Sequence, residues 1–535
     1  MTPRTPTPSL FAGLVLAGLA STSAAAAPAA PVSDEPPRLV LLVAVDQMRY
    51  DYLPRFATSF TGGLRRLMTE GAVFTNAHLG HYPSVTAIGH STMLTGAPPS
   101  ISGIVGNDWY DRSTRNGVTS VDDPGTTLLG TGPGTGSSPH RLRVSTVGDE
   151  LKMARPGSRV VSLSFKDRSA ILMAGRMADS ALWWDGMTGA FISSTWYGTA
   201  LPAWAAAFNA GHPADAWVGK EWRAVGEGGT PGTLLATLPA APGPAYYSAL
   251  YDSGFATDLL VSLAEAALEG GSLGTRGATD LLAVSFSCND GVGHDKGPHS
   301  AEIRDMTVRT DLALGRLLDA VDRRVGLART VVVLTADHGV APVPEQMAEW
   351  KMPGGRFPRA DLEKAATAAL EKAYGPGPWL EGRAGADLYL NRGLIAQRRL
   401  DPAAVERVAA AGAEAASPVW RTYTRSQLVE GRVPADPWSR RVLLSFDHER
   451  SGDIVVLLEP YWMSASSGTT HGTPFSYDTH IPLVLMGPRI RPGRYDRTVL
   501  LNDLAPTLAT LLDVETPSGS SGQVLTEIVD PGASR

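Results

Sequence analysis

The sequence predicts an α/β fold, a mostly parallel sheet flanked by helices on both faces, with insertions that form a cap or accessory subdomain. Two observations carry this. Five short runs rich in Val, Leu and Ile read as buried strands: "RLVLLVAV" (38–45), "RVVSLSF" (159–165), "DLLAVSFS" (280–287), "TVVVLT" (330–335) and "IPLVLMG" (481–487). Unbroken apolar runs of this length mark strands covered on both faces. Helical patterns lie between them, and strands alternating with helices imply βαβ units.

In chain order, residues 1–27 read as a signal peptide. Arg4 is the basic residue, "LFAGLVLAGLA" the apolar segment and "STSAAAA" the small residues for cleavage. The apolar segment is short for a membrane span, and no later segment approaches spanning length. The expectation is an exported chain, periplasmic or secreted, with residues 28–535 forming the working domain. Within it, "TDLLVSLAEAALEGG" has apolar spacing near 3.6 and stops at a Gly pair. Ser300 is placed to cap the long helix that follows Pro298. Residues about 180–250 carry six of the twelve Trp amid Gly and Pro and read as an irregular insertion. Residues about 342–460 read as the accessory subdomain, with a helix opened by Asp401 as N-cap and Pro402 at its first position.

Composition narrows the chemistry. The 535 residues are 19% charged and 43% hydrophobic, ordinary for a globular protein. A formal charge of −6 argues against broad nucleic-acid binding, which favours a basic surface. Cys288 is the only cysteine, so neither a disulfide framework nor a thiolate metal cluster is available. A metal site here must use Asp, Glu and His, and there are 11 His.

Parallel sheets bind ligands outside the carboxyl ends of their strands. The first run ends in Asp46, the second runs into Lys166 and Arg168, the third into Asp290 and His294, and the fourth into Asp337 and His338. Four strands therefore deliver metal ligands or cations to one rim. "TAIGHSTMLTG" reads as a short helix beginning just after Thr86, whose hydroxyl would face the positive end of the helix dipole, where anions also bind. Each residue also has an ordinary reading. Thr86 could be a plain N-cap, Asp46 the cap of a helix at "QMRYDYL", His471 a solvated loop histidine, and Lys166 with Arg168 a surface charge pair. What favours the functional reading is their joint occurrence at the strand ends.

Seven motifs in order resemble the alkaline phosphatase superfamily, and within it the PafA-type alkaline phosphatases with a threonine nucleophile: "VAVDQMRYDYL", "SVTAIGHSTMLTG", "GIVGNDWYD", "SFKDRSA", "NDGVGHDKGP", "TADHG" and "GTTHGTPFSYDTHIPL". The resemblance implies an exported phosphate monoesterase with two Zn²⁺. One ion would be held by Asp290, His294 and His471, the other by Asp46, Asp337 and His338, with Thr86 joining it as nucleophile. Three Asp and three His suit zinc, and two such ions about 4 Å apart can clamp the attacking and leaving oxygens of an in-line displacement. Asn107, Lys166 and Arg168 would contact the phosphoryl oxygens, with Lys166 in place of a third Mg²⁺. Turnover would pass through a phosphothreonine, with inorganic phosphate as product and inhibitor. His90 and His480 read as neighbours of the site, and His78, His81 and His448 have no assigned partner.

The nearest alternative is a nucleotide pyrophosphatase/phosphodiesterase, whose motifs "YPSVTAIGHSTMLTG" and "SGIVGN" also resemble. Lys166 and Arg168 speak against it, because a diester has one fewer charge and needs room for its second substituent. A phosphate- or metal-binding protein without turnover is a further alternative, opposed by the intact Thr86. An arylsulfatase would need Cys or Ser in a C/S-x-P-x-R context, and Cys288 lies in "SCNDGV".

Overall fold

The computed structural model describes residues 1–2, 36–226, 232–385 and 387–530. The expected signal peptide, but for Met1 and Thr2, lies outside the described residues. Among the described residues no helix is long and apolar enough to cross a membrane.

Seven strands form the part of the sheet that matters for the site: β1 (Leu39–Val45), β2 (Ala72–His78), β3 (Val160–Ser164), β4 (Ser180–Asp185), β5 (Asp280–Phe286), β6 (Thr330–Thr335) and β7 (His480–Met486). Their spatial order is β2-β7-β6-β1-β5-β3-β4, within a 12-stranded sheet. β6, β1, β5, β3 and β4 run parallel. β7 is antiparallel to both β6 and β2, a reversal the apolar run alone did not show. Every residue of β1, β5 and β6 is buried, as unbroken Val/Leu runs require. Each fully buried Val or Leu contributes on the order of 1.5–3 kcal/mol, which offsets the cost of the polar cluster at the strand ends. β2, with its alternating "AVFTNAH" and partly exposed face, carries no unbroken apolar run.

Helices flank the sheet: α1 (Thr86–Thr95), α2 (Asp167–Ala174), α3 (Phe255–Gly270), α4 (Cys288–Lys296) and α5 (Ala301–Arg324). Ser300 caps α5 by accepting from the Ile303 N–H. The Trp-rich stretch is more regular than expected. It opens with β4, which extends the central sheet and pairs antiparallel with the strand Ala190–Ser194, and it also holds a second antiparallel strand pair and two helices. Between β6 and β7, helices Arg359–Tyr374 and Pro402–Glu414 pack with a four-stranded sheet around their own apolar cluster, which includes Trp379. Asp401 caps the second helix through the N–H groups of Ala403 and Ala404.

Register decides what meets at the rim. β1 pairs Ala44 with Thr335 of β6 and Val45 with Phe286 of β5, and β5 pairs Ser285 with Ser164 of β3. Continued past these pairs, Asp337, Asp46, Ser287 and Lys166 fall on one level across four strands. Side chains on one level of adjacent strands share a face. The antiparallel β7 begins at the same rim, so the loop that feeds it brings in His471.

Candidate active site

Thr86 is the first residue of α1, after the extended Val85. It begins the helix rather than capping it, so its hydroxyl is not spent on a backbone N–H. The Thr86 Oγ1 lies 3.4 Å from His338 Nε2. α1 is buried along its whole length, and Gly89 permits this: a Cβ there would run into the backbone of Asp337. Asn107 Oδ1 accepts the N–H of Ala87 at 2.8 Å, which fixes Asn107 against the start of α1.

The other residues expected at the rim converge. Asp46, Asp337 and His338 bring donor atoms within 4.8 Å of one another, and so do Asp290, His471 and His338. His338 thus belongs to both groups, its ring stacked on His471 with centroids 3.5 Å apart. His294, expected beside His471, comes within 3.3 Å of Asp290 through Nε2. Lys166 Nζ donates to Asp46 Oδ2 at 2.7 Å and to Asp290 Oδ2. Arg168 stands at the edge. Its Nε is buried with no hydrogen-bond partner, and among the described residues its guanidinium comes no nearer a carboxylate than Asp167 at 3.9 Å.

Proton bookkeeping shows what this cluster fits. His338, His471 and His294 each point Nδ1 at a backbone carbonyl, of Gly339 (3.0 Å), Ser84 (2.7 Å) and Thr469 (2.8 Å). A carbonyl only accepts, so Nδ1 carries the hydrogen and Nε2 keeps its lone pair. Those lone pairs face carboxylate oxygens: His338 to Asp46 at 3.4 Å and to Asp337 at 3.3 Å, His471 to Asp290 at 3.6 Å. Two acceptors at that separation repel unless a cation joins them. Asp46 Oδ1 and Asp337 Oδ2 are also buried without any hydrogen-bond partner. Three carboxylates and three imidazoles so arranged are the donor set of a divalent metal centre.

Electrostatics agrees. Burial raises the Asp46 carboxyl well above its ordinary range, and Asp337 beside it adds to this. Asp290 is as enclosed, but Lys166 holds it well below the usual range. Burial lowers the His471 imidazole well below normal, with His338 and His294 reinforcing it, and lowers His338 too. His294 shifts the other way, because burial is outweighed by its contact with Asp290, which raises the imidazole. Neutral imidazole is the form that binds metal, and burial favours it at His338 and His471.

Two residues that sequence reasoning left unassigned complete the site. Gln47 donates from Nε2 to Asp290 Oδ1 (2.6 Å) and from its backbone N–H to Asp337 Oδ1 (3.1 Å), so it ties one carboxylate of each group to β1. It sits at φ +64°, unusual outside Gly and Asn. His90, read as a neighbour, places Nδ1 3.2 Å from Asp337 and Nε2 2.8 Å from Ser285 Oγ. His480 stacks on Tyr50 and His78, away from the cluster. Beside the cluster opens a cleft of about 300 Å³, walled by Tyr82, Asn107, Trp109 and His471 and, from the accessory subdomain, by Asp387 and Tyr389.

The family described as type I phosphodiesterase / nucleotide pyrophosphatase matches residues 40–480, from β1 to the start of β7. The chain belongs to that family. Within the alkaline phosphatase superfamily it is of the PafA type. It is 34% identical to alkaline phosphatase PafA of Elizabethkingia meningoseptica, over 92% of this chain and 94% of that protein. It is 33% identical to alkaline phosphatase PhoV of Synechococcus elongatus, over 92% of this chain and 93% of that protein. The crystal structure of wild-type PafA superposes with a TM-score of 0.83 at 32% identity, covering 93% of this chain and all of that one.

Proposed function

We propose that this protein is an exported alkaline phosphatase that hydrolyses phosphate monoesters by double displacement, with two Zn²⁺ in the paired donor sets. The chain is a metal-dependent hydrolase of phosphoric esters. The observation that carries the finer reading is Thr86 Oγ1 held 3.4 Å from His338 Nε2, the imidazole shared by both groups of metal donors.

Asp46, Asp337 and His338 would hold one ion, and Asp290, His294 and His471 the other. When bound, the two ions supply Lewis acidity at the attacking and leaving oxygens. Thr86 Oγ forms a bond to phosphorus as the ester oxygen leaves with its electron pair. Water then breaks the phosphothreonine, releasing phosphate and restoring the hydroxyl. α1 aims its positive end at the phosphoryl group. Asn107, whose carbonyl is committed to Ala87, has its amide NH₂ to donate to a non-bridging oxygen. Arg168, with Nε unpartnered, supplies a second donor. Lys166 screens Asp46 from Asp290, the work a third cation would otherwise do. This crowding of cations about the non-bridging oxygens favours the dianion of a monoester over a diester. Inorganic phosphate, which presents the same oxygens, binds as product and inhibitor.

Thr86→Ala tests the assignment. Turnover of p-nitrophenyl phosphate should fall by roughly 10⁴-fold or more, as when a catalytic nucleophile is removed, while phosphate binding persists. Most activity surviving in the variant sinks the nucleophile assignment. A preference of the wild-type protein for bis-p-nitrophenyl phosphate moves it to the diesterases. N-terminal sequencing of the mature protein tests export.

A further inference from the structure

A second cleft opens where the accessory subdomain meets the segment that carries Asn107. It has a volume of about 580 Å³, and six arginines line it: Arg112, Arg141 and Arg143 from one side, and Arg392, Arg425 and Arg450 from the other. Among the described residues that line it, two are acidic, Asp111 and Glu449. Strand Asp108–Asp111 lies between this cleft and the catalytic one, and Trp109 walls both. Four residues of extended chain lie between Asn107 and Arg112, which sets their Cα atoms roughly 17 Å apart. None of the six arginines is among the residues that wall the catalytic cleft.

Among the described residues four of the six arginines pair with carboxylates, and Arg425 and Arg450 do not. Arg141 pairs with Asp122 (3.1 Å), and Arg143 with Asp447 and Glu449. Arg112 and Arg392 share the single carboxylate of Asp453, at 2.7 and 2.6 Å, and Arg112 comes within 3.9 Å of Glu381. Arg450 hydrogen-bonds carbonyls only, of Gly103 and Arg141. Arg425 reaches only the carbonyl of His448, at 3.4 Å, and its Nε is buried without a partner. Burial, followed by the neighbouring Arg143, pushes Arg450 down to about 10. Aromatic rings hold three of the groups in place. Arg450 and Arg141 lie 5.0 and 5.6 Å from the centre of the Trp109 ring, and Arg112 lies 4.8 Å from that of Tyr389. Preorganised guanidinium planes with unspent donors are the usual means of gripping phosphoryl oxygens.

We propose that this cleft is a second anion site, which takes a ligand carrying several phosphoryl groups, of the pyrophosphate or short polyphosphate class. One phosphate is satisfied by two or three guanidinium groups. Six of them, three from each side of a cleft this large, suit a longer anion that bridges the two parts of the chain. The inference does not rest on the catalytic reading.

The test is calorimetric titration of tripolyphosphate into zinc-loaded Thr86→Ala protein, compared with the same protein carrying Arg392→Ala and Arg425→Ala. The parent should show a salt-sensitive binding event that loses at least tenfold in affinity in the arginine variant, whether or not a second event at the catalytic site accompanies it. Arg392→Lys with Arg425→Lys, which keeps the charge and loses the fork, should fall between them. In the otherwise wild-type enzyme the double alanine change should leave p-nitrophenyl phosphate turnover unaltered, which shows that the variant folds. Equal affinity in parent and alanine variant for every binding event overturns the proposal, whereas a single event that the alanine changes weaken upholds it and counts only against binding at the catalytic site. Sulfate binding at this cleft as tightly as tripolyphosphate overturns the assignment to a multiply phosphorylated ligand.

Discussion

Strand β5 has a shielded carboxylate at each end, and the two are handled in opposite ways. Asp280, its first residue, is fully buried and fully answered. It accepts the N–H of Arg159 (2.7 Å) and of Gly274 (2.8 Å), and Arg276 reaches it at 2.7 Å. Asp290, just past the other end, receives Gln47 and Lys166 but also faces the lone pairs of His294 and His471. Its neighbours Asp46 and Asp337 each keep a buried oxygen with no hydrogen bond. Burial of a carboxylate is therefore no sign of function in itself. A site shows where buried acceptors are turned toward other acceptors, because only a ligand can resolve the conflict.

The largest expected effect tests the unresolved end. Asp337→Asn keeps the shape and the oxygen that accepts from Gln47 and His338, but loses the charge beside His338. Turnover should fall by about 10³-fold, and metal per chain, read by elemental analysis, should drop. An unchanged metal content would place the ion elsewhere. Asp280→Ala tests the satisfied end. It leaves the N–H groups of Arg159 and Gly274 without an acceptor and should cost about 3 kcal/mol of stability. Denaturant titration should show the lower midpoint, while kcat and metal content hold. A loss of metal from Asp280→Ala would mean that the two ends of the sheet are not independent.

The same contrast explains what the sequence made legible. Val331 to Thr335 and Leu39 to Val45 announce buried strands by composition, and Asp337 and Asp46 follow them directly, so the rim could be read before any contact was known. Thr86 and Asn107 needed the ordered motifs, since a threonine at a helix start is common. The reversal of β7 was hidden, because an apolar run carries no direction, and β2 was hidden by its half-exposed alternation. The sharing of His338 by both donor groups, and its stack on His471, depend on tertiary packing between residues 133 positions apart that no spacing rule reaches. Gln47 gave no signal at all. Its role lies in a backbone conformation that favours Gly or Asn, in a side-chain amide whose partner is 243 positions away and in a backbone N–H whose partner is 290 positions away.

Gln47 also supplies the finest test of the comparison, because it separates a backbone effect from a side-chain effect at one residue. Its left-handed φ is a strain of about 1 kcal/mol for a residue with a Cβ. Gly293 shows why the side chain lies where it does: a Cβ on that glycine would collide with the Gln47 amide. Gln47→Ala keeps the strain and removes the amide that orients Asp290, so zinc affinity should fall about 10- to 100-fold, as on losing a partner behind a metal ligand. Gln47→Gly also removes the amide but releases the strain. It should show the same loss of zinc affinity together with metal-free stability about 1 kcal/mol above that of Gln47→Ala. Competition titration with a chelating dye measures the first quantity, and denaturation of the metal-free proteins the second. Equal stability of the two variants would mean that the backbone there bears no strain. Wild-type zinc affinity in both would mean that Asp290 is oriented by Lys166 alone.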